Sequence, residues 1–257
     1  MDNFIHAKPD NKKDVGTLDR CVDGVCEAAK FFGTPFVSGK DSLGGTFKGK
    51  NTVIKVKPTL CVTAVGIVSD VKKSLPNHFQ KSGNHLYFVG FRDVSQIGGS
   101  VFADAAGLES NNIPRVDLAA AGKVFEGLSA ATADGKIVSC HDVSDGGLIT
   151  TLAEMSLGET LGCEAALDGF SGSFLEVLFN ETPGCFVIEV SPDFDAAHYF
   201  SENVLHFGHV RKDDSFNIEK NSTAVFSSSV NDLRLLLKNP LFEKYFKNAC
   251  LLLMDDY

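Results

Sequence analysis

The stretch "HDVSDGG", residues 141–147, lies between the apolar pair Ile137 and Val138 and the run "LITTLAEM" at 148–155. It reads as a strand that enters a polar turn and leaves it as a helix. One imidazole, two carboxylates, a hydroxyl and two adjacent glycines therefore meet at a helix mouth. Hard cations such as Mg2+ take carboxylate oxygens and keep waters that bridge to substrate phosphates. Asp142, directly after the strand, suits that task, and Ser144 offers a donor to a phosphate oxygen. Gly146 and Gly147 let backbone N–H groups approach an anion where the helix dipole favours negative charge. A simple cap by Ser144 or Asp145 is the competing explanation. It accounts for one polar residue and leaves His141 and Asp142 unexplained. His141 reads as a hydrogen-bonded structural histidine rather than an acid–base catalyst.

Outward from this turn, strands and helices alternate. "HLYFVGF" (85–91), "KIVS" (136–139), "CFVIEV" (185–190) and "VLHFGHV" (204–210) read as strands. Helices are expected from Asp117 to about Ala133 and from Leu148 to Leu157. Near the start, Leu18, Cys21, Val22, Val25, Cys26, Ala29 and Phe32 recur at helical spacing, and Gly33 with Pro35 ends the run. "PFV" (35–37) reads as a short strand feeding the glycine-rich loop "SGKDSLGG" (38–45). "TVIKVK" (52–57) and "PTLCVTAVGIV" (58–68) read as further strands. Polar residues from Asp70 onward mark a boundary, which gives segments 1–70, 71–215 and 216–257. In the last of these, "STAVFSSSVND" (222–232) reads as a connector. Phe242, Tyr245, Phe246, Ala249, Cys250 and Leu253 beyond it form a helical stripe that would dock on the protein's own core.

Composition narrows the function. The chain has 257 residues, 44% hydrophobic and 22% charged, which is enough apolar material for a globular core. Its net charge of −9, with basic residues scattered, argues against a nucleic-acid surface. No apolar run reaches membrane-spanning length, and the polar start "MDNFIHAKPDNKKD" lacks a secretory core, so the expected location is the cytoplasm. Seven cysteines without a C-x-x-C pair read as reduced, packed thiols rather than a zinc site.

A second candidate is "GTPFVSGKDS" (33–42). It fails as a phosphate loop of the G-x-x-x-x-G-K-[ST] type, because five residues separate Gly33 from Gly39 and Asp41 stands where the hydroxyl belongs. Its parts still suit phosphate: Gly39 for close backbone approach, Lys40 as a cation, Asp41 as a ligand for a divalent metal. A polar loop with incidental charge is the equal alternative. Asp2, ahead of Asn3 and Phe4, reads on its own as a solvated aspartate, with structure expected upstream of it.

Taken in order, "FGTPFVSGKDSLGG", "PTLCVTAVGIVSDVKKSLP", "QIGGS" and "HDVSDGGLITTLAEM" resemble phosphoribosylformylglycinamidine synthase, a family of the aminoimidazole-ribonucleotide-synthase-like (PurM-like) superfamily. The tail "VNDLRLLLKNPLF" (230–242) is similar to the helix that precedes the glutaminase domain in fused members. The resemblance implies an α+β fold: an A domain over 1–70, cut short at its N-terminus, then a C-terminal B domain, an α/β sandwich, over 71–215. The two would form the second of two tandem A/B copies. It also implies a ligase of purine biosynthesis, in which ATP activates the amide oxygen of formylglycinamide ribonucleotide and ammonia from glutamine displaces phosphate. ATP or ADP and Mg2+ are the implied cofactors.

Residue by residue, Asp2 and Gly39 match nucleotide contacts and Ser42 a substrate contact. Asp142 matches a magnesium ligand and Ser144 a nucleotide contact of an auxiliary site. Lys40 departs from the magnesium-binding asparagine of shorter members. The family's catalytic histidine belongs to the first copy, so no catalytic residue is expected in this chain, and no synthetase activity from the chain alone. The implied partners are the first A/B copy, a glutaminase domain or subunit and a small ribonucleotide, with neither nucleic acid nor membrane. The rival readings are a non-catalytic nucleotide-binding module and a relative of the selenophosphate-synthetase or hydrogenase-maturation enzymes.

Overall fold

The computed structural model describes residues 1–238 and divides between Val71 and Lys72 into two units. The apolar stripe expected at 242–253 lies outside the described residues.

The first unit begins with β1 (Asp2–Ile5) and α1 (Lys12–Phe32). Asn11 caps α1 by accepting hydrogen bonds from the backbone of Lys13 and Asp14 at 3.0 and 3.1 Å. Gly33 ends it in the left-handed conformation, with φ of 63°. Then come β2 (Gly39–Ser42), β3 (Thr46–Lys48), β4 (Val53–Lys55) and β5 (Thr59–Val62). The strand order is β2-β1-β5, with β2 parallel and β5 antiparallel to β1, while β3 and β4 form a separate hairpin.

Two expectations fail here. "GKDS" is a strand, not part of a loop, and "PFV" is irregular. Of the long run at 58–68, only Thr59–Val62 pairs as strand. The physical reason is shared: the partner of both strands is β1, which lies at the far end of the unit in sequence.

The second unit is a mixed sheet with helices on both faces. In chain order its elements are β6 (His85–Val89), α2 (Val101–Ala105), α3 (Leu118–Ala133), β7 (Ile137–Asp142), α4 (Gly147–Leu157), β8 (Cys163–Ala166), α5 (Phe174–Phe179), β9 (Phe186–Val190), α6 (Ala196–Tyr199), β10 (Val204–Val210), β11 (Ser215–Lys220), β12 (Thr223–Ser229) and α7 (Val230–Lys238). Seven strands pair in the order β12-β11-β8-β10-β6-β9-β7.

Strand alternation sends neighbouring side chains to opposite faces. Leu86, Phe88 and Val187 join a core with Leu148, Leu152 and Met155 of α4 and Val177 and Leu178 of α5. Val89, Ile188 and Val190 join another with Val124 and Ala131 of α3 and Phe200. Burial of a side chain such as Leu148 or Leu152 contributes roughly 1.5–3 kcal/mol, and both are fully covered.

The segment expected as a connector is built into this sheet. β11 and β12 form a hairpin turned by Asn221 and Ser222, both at positive φ, and Phe216 and Ile218 are fully buried. Val225 and Phe226 of β12 pack against the core ahead of three consecutive serines, Ser227 to Ser229, so a polar composition conceals a strand. Asp117 caps α3 by accepting from Ala120, at the residue where the sequence pattern begins the helix.

Candidate functional site

β7 runs to Asp142, and five residues later α4 has begun, so the turn at 143–146 is short. It is held from several sides. The Val143 backbone donates to Cys185 O at 2.8 Å, and Thr151 Oγ1 donates to Asp142 O at 3.0 Å. His141 is mostly buried, with Nδ1 2.8 Å from Asp142 O and Nε2 3.2 Å from Glu154 Oε2. With both nitrogens engaged, His141 is a brace between β7 and α4. The Asp142 side chain remains 61% exposed, with Oδ1 3.3 Å from His141 Nδ1, and Ser144 is exposed close by in the turn.

The two glycines do something other than expected. Gly146, at φ of 83°, occupies the cap position of α4, and no side chain of the turn caps the helix. Its N–H donates to Glu181 Oε1 at 2.7 Å, and the same oxygen accepts from Val101 N at 2.9 Å. Gly147 N–H donates to Ser144 O at 2.9 Å. Both amides are therefore committed within the protein, and the expectation that they greet a bound anion is corrected. Capping by Ser144 or Asp145 is corrected as well, because α4 starts at Gly146 without a side-chain cap. Gly147 is needed for packing: at φ of 69°, an added Cβ would sit 2.4 Å from Leu178 O of α5.

Glu181 has no motif around it, since "LFNETPG" (178–184) reads as a strand end and turn. Its partners are 35 and 80 residues away in sequence. Glu154 and Thr151 are legible only as polar positions on an amphipathic helix.

In the first unit, β2 lies beside β1 with Asp2 opposite Gly39, Asn3 opposite Lys40, Phe4 opposite Asp41 and Ile5 opposite Ser42. Paired residues share a face. Asp2, Gly39 and Asp41 thus belong to one face, and Lys40 and Ser42 to the other, together with Asn3. Asp2 lies directly over Gly39, where an added Cβ would meet Asp2 Oδ1 at 2.0 Å. On the other face Lys40 Nζ donates to Ser42 Oγ, which donates to Asn3 Oδ1 at 3.3 Å. Lys40 and Asp41, adjacent in sequence, do not converge.

Among the described residues, no group of three or more His, Cys, Asp or Glu converges as a metal cage. A single exposed carboxylate such as Asp142, with a hydroxyl beside it, fits the way Mg2+ is held by one or two carboxylates, its remaining positions filled by water and phosphate.

Burial pushes the Cys185 thiol up to about 11 and the Cys140 thiol up to about 12, so neither is a thiolate at neutral pH. Among the described cysteines, all of them free thiols, Cys163 and Cys185 are buried, Cys21 and Cys140 half-buried, and Cys26 and Cys61 exposed, so the expected packing does not extend to the last two. Among the described residues, no helix is long and apolar enough to cross a membrane.

The AIR synthase related protein C-terminal domain, as a family model, matches residues 81–219. The chain is 28% identical over 242 residues to the phosphoribosylformylglycinamidine synthase subunit PurL of Leuconostoc mesenteroides, covering 91% of this chain and 31% of that protein. It is 33% identical over 179 residues to the PurL subunit of Lactobacillus delbrueckii, covering 70% of this chain and 23% of that one. The chain spans about a third or less of the length of these curated relatives. The structure of Thermotoga maritima PurL complexed with ATP shares its fold, with a TM-score of 0.63 at 12% identity over 90% of this chain and 37% of that one.

Proposed function

The chain belongs to the AIR synthase related protein family, and on that footing we propose that it forms the second A/B copy of a phosphoribosylformylglycinamidine synthase. That enzyme would be an ATP-dependent ligase of purine biosynthesis, converting formylglycinamide ribonucleotide with ammonia drawn from glutamine. The observation that carries the reading is the turn after β7, where an exposed Asp142 carboxylate and Ser144 project from a backbone held by Thr151, Cys185 and Glu181. Similarity to two PurL subunits supports the family role, and the ATP complex of a relative supports the nucleotide.

In this reading Asp142 holds Mg2+ and Ser144 donates to a nucleotide phosphate. Mg2+, when bound, neutralises charge on the phosphates. Asp2 presents its carboxylate to the nucleotide, Gly39 leaves the room against the strand that this carboxylate occupies, and Asp41 offers a second carboxylate on their face. Ser42 faces the ribonucleotide. Lys40 is an ammonium and ligates no metal; its charge serves phosphate. The chain's residues bind and orient; none is assigned to the bond-making step. The first A/B copy and a glutaminase domain or subunit complete the enzyme, in the cytoplasm.

The test is titration of the purified chain with ADP, with and without Mg2+, followed by an assay of phosphate release from ATP with substrate and ammonia present. Mg2+-dependent nucleotide binding without turnover supports the reading. Turnover by the chain alone contradicts it, and nucleotide binding indifferent to Mg2+ removes Asp142 from its role.

A further inference from the structure

Arg92 is a cation left without an acceptor. Its Nε, Nη1 and Nη2 are all closed to solvent, and among the described residues none of them has a hydrogen-bond partner. The guanidinium lies 4.3 Å from the centre of the Phe88 ring and 5.3 Å from that of Phe170. The rings attract a cation through their π faces and accept none of its in-plane N–H bonds. A desolvated guanidinium carries five donors, and buried charges are ordinarily paired.

The neighbouring acids do not supply the missing anion. Asp93, next in the chain, directs its carboxylate to Ser95 and Gln96. Cys185, whose charge would favour the cation, is a neutral thiol below about pH 11. Burial in turn pulls the Arg92 guanidinium down to about 10, the direction expected of a charge held out of water.

Arg92 also lines a cavity of about 300 Å³, together with Phe88, Phe170, Ser171 and Asn203. The cavity stands at the end of the sheet where β6 and β8 finish and β10 begins. Its walls combine Arg92, whose donor fork lies closed off beneath the surface, with a hydroxyl, a side-chain amide and flat apolar surfaces, the composition that holds an oxyanion with a small organic body once that fork is reached.

We propose that this cavity is a binding site for a phosphoryl group, taken by Arg92 as its acceptor and steadied by Ser171 and Asn203. It does not depend on the Mg2+–nucleotide reading of the turn after β7, and its residues are not those of that turn. Entry of the anion requires the guanidinium edge to open toward the cavity, while Phe88 and Phe170 keep its faces.

The experiment is an NMR titration of the full chain, observing the Arg92 Nε–H resonance, with inorganic phosphate in one arm and ribose 5-phosphate in the other, without nucleotide or Mg2+. The expected result is a saturable shift of that resonance in at least one arm. Tighter binding of the sugar phosphate identifies a phosphate monoester as the ligand; equal binding identifies phosphate itself. In Arg92→Met, an apolar side chain that fits between two rings, affinity is expected to fall at least tenfold. Should that variant fail to fold, the wild-type resonance still decides. No saturable shift in either arm, or unchanged affinity in folded Arg92→Met, overturns the proposal. Loss of binding in Asp142→Asn would overturn its independence, whereas failure of Mg2+–ADP to bind would leave the phosphate result standing.

Discussion

Glu181 Oε1 accepts the backbone hydrogen bond of Gly146 at 2.7 Å and thereby fills the place that the glycine turn seemed to hold open for an anion. The same oxygen accepts from Val101 N, so one carboxylate ties the turn to the start of α2. Hydrogen bonds to a charged acceptor contribute more than neutral ones, and stranding their donors costs more still. Glu181→Ala should therefore destabilise the fold by about 2–3 kcal/mol, and Glu181→Gln, whose amide oxygen still accepts, by about 1 kcal/mol. Urea denaturation of the two variants measures both. Equal stability of wild type and Glu181→Ala would show that the clasp does not hold the turn.

Gly147 separates conformation from packing. Gly135 has φ of 66° with open space around it, whereas Gly147 has φ of 69° with Leu178 O in the way. Gly135→Ala should cost about 1–2 kcal/mol, from the left-handed backbone alone. Gly147→Ala should cost about 3 kcal/mol or more, because α4 must also move away from α5. Equal losses in thermal unfolding would remove the packing argument.

Acid should loosen the start of α5. Ser173 donates to Glu176 Oε2 from both its backbone and its hydroxyl, each at 2.8 Å, and these bonds hold the Glu176 carboxyl below its ordinary value. Because the folded value is depressed, the contribution to stability is present above the unfolded value, about 4.3, and is lost as pH falls through the folded one. A carboxyl-carbon NMR titration should place the Glu176 midpoint below that of a free glutamate, and Ser173→Ala should raise it. A midpoint that Ser173→Ala leaves in place contradicts the capping-box account.

Local patterns were legible in the sequence where the physics is local. Helical spacing after an Asp117 cap marks α3, and strand, turn and helix around 137–157 follow from apolar runs interrupted by glycine. "GKDS" was misread because the strand character of β2 comes from pairing with Asp2–Ile5, across the whole length of α1. β12 was misread because serine is a poor strand signal, and its place is set by the hairpin with β11. Asp142 and Ser144 could be singled out by chemical type. Glu181 could not, since an acid before a turn carries no local mark of the two distant amides it accepts. The same holds for Arg92, whose want of an acceptor is visible only once the rings of Phe88 and Phe170 enclose it.

The account turns on Asp142 as a metal-bearing carboxylate beside a nucleotide. The most direct measurement replaces Mg2+ with paramagnetic Mn2+ and records amide line broadening in the chain with and without ADP. The account predicts ADP-dependent broadening centred on residues 142–144 in wild type and its loss in Asp142→Asn. Broadening elsewhere alone, or the same pattern in Asp142→Asn, contradicts it.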